Sequence, residues 1–248
     1  MRSLVAVVAI AAVFGVVVFG AGSAFGVWDG GAGQASNSPG NVPGAKTQKA
    51  AKKNQNPRER LTARDTAIAS AAVVRQSNLK PPWREVASRD RGNQGCSGSK
   101  SDFSRFTVTG KAQSEFKSGG GGLIASKVKI FTNAGQANEY FRVTSGQTML
   151  DCMREGVGGA LRNAGLSPKL LSAKLLTAPP FGEQTAIYTF GYSIQGSDGN
   201  RYEYPVDIVT FRMGRAIAAV SFSFVAAKRD EVGLARLVAN RLSLSAHS

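Results

Sequence analysis

The chain has 248 residues, a formal net charge of +15, two cysteines and a single histidine. Cys96 and Cys152 stand 56 positions apart with no CxxC, and His247 is next to last, so the usual four-ligand zinc site has no donors. The lack of a usable histidine also removes most Ser-His and Cys-His catalysis.

The first segment, residues 1–28, carries Arg2 and then no charge from Ser3 to Trp28. A run of this length reads as a membrane anchor or as a signal peptide, with Ala21 and Ser23 satisfying the small-residue cleavage rule. With no charge between Gly30 and Ala45, the charge next to the run is weighted towards Arg2 and the amino terminus, which places the C-terminal bulk outside the membrane. The expected location is therefore extracytoplasmic, single-pass and anchored, or secreted after signal cleavage. In that oxidising compartment an even cysteine count predicts a disulfide between Cys96 and Cys152.

Residues 29–60 contain no aromatic residue and, apart from Val42, no strongly apolar one; they read as a disordered linker. Its second half is basic, and Lys46, Lys49, Lys52, Lys53, Arg58 and Arg60 are candidates for contact with polyanions. Residues 61–248 suit one domain, which holds +10 of the net charge. Outside a membrane the available polyanions are wall polymers and lipid headgroups, so nucleic acid is not an expected partner. The pair Lys127 and Lys129 shares one strand face, which reads as a solvated one.

Periodicity then gives the elements. "TARDTAIASAAVVRQSN" is a helix with Thr62 as N-cap, Asp65 in the capping-box position and Ile68, Ala72 and Val73 inward, ended by a turn at "KPPW". "RFTVTGKAQSEF" and "LIASKVKIF" are two strands across the glycine run 119–122, which reads as a hairpin loop because no GKS or GKT follows. Helices are expected over 135–142 and 148–163, the second with Leu150, Met153, Val157 and Leu161 inward and Cys152 near the edge of that face. "KLLSAKLLT", "TAIYTFGYSIQ", "RYEYPVDIVTFRM" and "AIAAVSFSFV" are four more strands, with Pro205 marking a bulge or edge, and "DEVGLARLVANRLS" is a closing helix. The expected fold class is α+β, an antiparallel sheet of about six strands with helices packed on it as a two-layer sandwich.

"SGSK" at 97–100 has SxxK spacing but lies in a glycine-rich loop, whereas such a serine opens a helix. Asp198 and Glu203 flank a hairpin turn, and Asp151 and Glu155 are an ordinary i, i+4 surface pair. The expectation is no enzyme, no metal and no cofactor, with an envelope hydrolase as the weakest alternative. Tyr188, Phe190 and Tyr192 share one strand face, and Tyr202 and Tyr204 share a face of the next strand. Tyr188, Tyr192, Tyr202 and Tyr204 are thus groove candidates for a ligand, or else simply the packed face of the sheet.

Taken in order, "DTAIASAAVVRQSNLKPPW", Cys96, "FSRFTVTGKAQSEF", "SKVKIF", Cys152, "FGEQTAIYTF", "GRAIAAVSFSF" and "LARLVANRL" resemble a group of exported actinobacterial-type proteins. These are the extracellular sensor domains of mycobacterial serine/threonine kinases and the PsbP-like secreted proteins. The resemblance spans most of residues 61–248 and implies an antiparallel sheet with packed helices, a disulfide and a ligand-binding groove. The chain departs from the kinase sensors in having no kinase domain and one cysteine pair where they tend to have two. The expected function is a non-enzymatic, sensor-like binding module at the envelope, monomeric, with an envelope ligand and the membrane as partners. The alternative is a basic adaptor for anionic wall polymers or lipid headgroups.

Overall fold

The computed structural model describes residues 57–87, 102–119, 121–163, 165–177, 180–196, 199–223 and 228–246. The apolar N-terminal run, Lys46, Lys49, Lys52, Lys53, Cys96, the "SGSK" string, Asp198 and His247 lie outside the described residues. Among the described residues no helix is long and apolar enough to cross a membrane.

The chain order is β1 (Arg58–Glu59), α1 (Ala63–Ala72), a 3-10 turn (Gln76–Asn78), β2 (Arg84–Val86), β3 (Thr107–Lys117), β4 (Leu123–Phe131), α2 (Ala134–Val143), α3 (Gln147–Asn163), β5 (Lys169–Leu176), β6 (Gln184–Gln195), β7 (Arg201–Met213), β8 (Ala216–Ser223) and α4 (Lys228–Ala246). One eight-stranded sheet runs β1-β3-β4-β8-β7-β6-β5, with β2 also on β3. β1 is parallel to β3, and the other described pairings are antiparallel.

The class is α+β, but the sheet is mixed and larger than six strands. β1 and β2, at two and three residues, are too short to carry an alternation. β1 also means that Arg58 and Glu59, placed in the linker by composition, belong to the sheet. Two layers become three, because helices cover both faces. α2 and α3 pack on one face with Leu123, Ala125, Tyr188, Phe190, Val206, Ile208, Ile217 and Ala219. α1 and α4 pack on the other with Ile124, Val128, Ile130, Val209, Phe211, Ala218, Val220 and Phe222. β8 is buried along its whole length, and a strand covered on both faces reads as a continuous apolar run rather than an alternation.

Local chemistry sets the elements. Thr62 caps α1 by accepting from the Asp65 amide at 3.1 Å. The Asp65 side chain turns away from the cap and accepts from Arg215 Nη1 and Nη2 at 2.7 and 2.5 Å, joining α1 to the β7–β8 turn. Gly110 lets β3 approach, since a Cβ there would lie 2.4 Å from the backbone carbon and oxygen of Asp65. α1 stops at Ala72, earlier than its apolar pattern suggests. The Val74 amide then donates to Ser126 Oγ of β4 at 2.9 Å, and Arg241 of α4 donates to the Val73 carbonyl at 2.8 Å. The hairpin around the glycine run closes through the Gly122 amide on Ser118 Oγ. Pro205 sits opposite Gly191 of β6 in a ladder with no register shift, so it marks no bulge against that strand.

Candidate functional site

The face under α2 and α3 changes character along the sheet. Its β6 and β7 side is aromatic: Tyr188, Tyr192 and Tyr204 are fully buried, and Tyr192 stands opposite Tyr204. Each hydroxyl meets a partner. Tyr188 Oη accepts from the Gly146 amide at 3.0 Å, Tyr192 donates to the Arg154 carbonyl at 2.8 Å, and Tyr204 donates to Ser223 Oγ at 3.1 Å. Burial pushes the phenols of Tyr188 and Tyr192 up to about 12 and that of Tyr204 upward too, so all three are neutral donors or acceptors at physiological pH. Tyr188 and Tyr192 bind the entry turn of α3 and α3 itself to the sheet, while Tyr204 bonds within the sheet to β8; all three are buried in the packed face. Tyr202, two residues before Tyr204 and opposite Ile194, is exposed at the end of this face. The inward stripe of α3, Leu150, Met153, Val157 and Leu161, is buried as its spacing predicts. Cys152 is buried beside it, and no cysteine among the described residues is free. Glu203 and Glu155 are exposed, and Asp151 lies 3.4 Å from Arg154. Arg58 and Arg60 are exposed.

Towards β3 and β4 the same face turns polar. On β4, Leu123 and Ala125 belong to the α2 and α3 side, and the two-residue period carries Lys127 and Lys129 there as well. On β8 the same period carries Ser221 and Ser223, and on β7 Thr210, to this face. Ala219 faces Lys127 on one side and Thr210 on the other, and Ser221 stands between Ala125 and Ile208. Lys127, Ala219 and Thr210 thus form one cross-strand row, with Ser221 diagonal to it.

Lys129 is buried, with Nζ donating to Tyr140 Oη at 3.3 Å and lying 5.4 Å over the Tyr140 ring. The solvated reading of this pair therefore fails for Lys129: α2 brings Tyr140 over it. Glu115 of β3 is also buried, with Lys117 Nζ at 3.8 Å. On the adjoining strands β7 and β8 of the same face, Thr210 Oγ1 and Ser221 Oγ are buried with no hydrogen-bond partner, in residues exposed by only 4% and 6%. A buried hydroxyl without a partner is uncommon and costs about 1–3 kcal/mol.

Chemically, this face offers two hydroxyls over a floor of small side chains, Ala125, Ala186 and Ala219, with Lys127 and Lys129 against one carboxylate, Glu115, which lies in the row of Ser221 and has Lys117 beside it. That set suits an oxyanion, which accepts from hydroxyls and is attracted by ammonium groups. Among the described residues no group of three His, Cys, Asp or Glu side chains could hold a metal ion. Sequence reasoning passed over Thr210 and Ser221 because each lies in an apolar run. The available signal was the parity of Lys127 and Lys129 together with the alanines and serines of "AIAAVSFS", a run too small to fill a helix-covered face.

Comparison of the chain with protein families and with curated proteins finds no match.

Proposed function

We propose that the chain is a non-enzymatic, extracytoplasmic ligand-binding module, tethered at the cell envelope by its N-terminal segment, whose ligand presents an oxyanion to Lys127, Thr210 and Ser221. The observation that carries this reading is the pair of buried hydroxyls lacking partners beside two lysines of the same face. The long apolar N-terminal run supports the placement, and the scarcity of histidine, one in 248 residues, supports a binding role over a catalytic one. The resemblance to exported sensor domains points the same way. A bond between Cys96 and Cys152 belongs to the proposal, tying the segment before Phe103 to α3.

Thermal unfolding of the full chain with and without inorganic phosphate or glucuronate tests it. Ligand at 100 times Kd stabilises the native state by about 2.7 kcal/mol, and Thr210→Val or Ser221→Ala is expected to abolish that gain. Without ligand, Thr210→Val is expected to raise stability by up to about 1 kcal/mol, since it removes a polar atom that has no partner. A Thr210→Val protein less stable than the parent would overturn the site. The basic-adaptor reading makes a different prediction: stabilisation by polyanions that vanishes in high salt, ignores Thr210 and Ser221, and falls when Arg58 and Arg60 are replaced.

A further inference from the structure

β5 is the last strand of the sheet: it pairs with β6, and among the described residues no strand lies on its outer side. Four of its eight residues are leucines, and all are exposed: Leu170 39%, Leu171 50%, Leu175 39% and Leu176 39%. The opposite edge, β3, is covered by β1 and β2. Natural edge strands are kept short, charged or broken by proline to prevent pairing. β5 has no proline; its two lysines, Lys169 and Lys174, and the irregularity against β6 between Leu170 and Ser172 protect it in part, but four leucines and a regular stretch from Ser172 to Leu176 remain on the open edge. Exposed apolar residues on an unpaired edge mark a surface for strand addition.

We infer that the occupant of this edge is a second copy of the chain, paired β5 to β5 in antiparallel orientation about a two-fold axis. The basis is the order of residues in the strand. With Ala173 opposite itself, Leu171 faces Leu175, Ser172 faces Lys174 and Lys169 faces Thr177, so apolar groups meet and no lysine meets a lysine. Centring the axis one residue later sets Lys174 against Lys174, which like-charge repulsion disfavours. This dimer departs from the monomer expected from sequence, and it is independent of the ligand reading. Two chains of +15 repel, so the dimer is expected to tighten as salt rises, the reverse of polyanion binding.

The test is the mass of the full chain in detergent, by light scattering with the detergent contribution subtracted. The parent is expected at twice the mass of one chain, and Leu171→Asp and Leu175→Asp at one, with unchanged circular dichroism. Ala173→Cys is expected to give an interchain disulfide, because directly opposed strand residues lie within disulfide reach. A monomeric parent at tens of micromolar overturns the proposal. So does a dimer that survives both aspartate variants, which would place the contact elsewhere, or an Ala173→Cys chain that fails to cross-link.

Discussion

Asp65 shows what a single residue's neighbours decide. Its position three after Thr62 was legible as part of a helix start, but its partner Arg215 lies 150 residues away and nothing local announces it. Two hydrogen bonds from that guanidinium hold the carboxyl below its ordinary range, against the opposing effect of burial. A carboxyl whose folded pKa is depressed binds its proton more readily in the unfolded chain. Its contribution is therefore complete above the unfolded value of about 3.9 and is lost as pH falls through the folded value. Asp65→Asn is expected to lower stability at pH 7 by about 2 kcal/mol, less than for a fully buried pair because Arg215 is partly exposed. The deficit should shrink below pH 4; urea midpoints from pH 7 to pH 2 measure it, and a deficit constant with pH would remove Asp65 from the acid response. Thr210 and Ser221 were illegible for another reason: a hydroxyl in an apolar strand reads as tolerated, and only the packing of α2 reveals that it lacks a partner.

At the level of elements, periodicity located the long ones well. β4 and β7 begin and end at the expected residues, and α2, α3, β5 and β6 fall within a residue or so of expectation. What failed was what periodicity cannot carry. β1 and β2 are shorter than one repeat, and β8, read correctly as a strand, alternates between two faces that are both buried, so its pattern did not signal that helices cover the sheet on both sides. The stripe of α3 is the element whose energetics follow most directly from its spacing. Leu161, fully buried in that stripe, is expected to cost about 2–5 kcal/mol when changed to Ala, through lost burial and an unfilled cavity. Glu155→Ala on the exposed side of the same helix should stay within about 0.5 kcal/mol. Equal losses at the two positions in a denaturation experiment would mean that the helix does not present this stripe to the sheet. The tyrosines of β6 and β7 belong to this scale too: their shared face was readable, but α3 lying across Tyr188 and Tyr192 and burying them was not.

At the level of the whole molecule, the proposed Cys96–Cys152 bond would close a long loop and join the approach to β3 with α3. In the chain-entropy model such a closure stabilises by about 4 kcal/mol. Reduction of the exported protein is expected to lower its unfolding midpoint accordingly, and two alkylatable thiols in unreduced, folded protein would contradict the bond. The chain's excess of positive charge acts in opposite directions on the two proposed contacts. Salt should weaken any polyanion binding and strengthen a β5 dimer, while an oxyanion seated in a buried row should be least affected because its groups are shielded from solvent. That contrast defines the most direct test of the binding reading, an NMR titration of the isotopically labelled full chain in detergent with inorganic phosphate and with glucuronate, at low and at 0.5 M salt. The account predicts saturable shifts centred on the amides of Lys127, Thr210, Ala219 and Ser221 that persist at the higher salt. Shifts confined to the exposed Arg58 and Arg60 that disappear in salt, or no saturable shift with either probe, would contradict it.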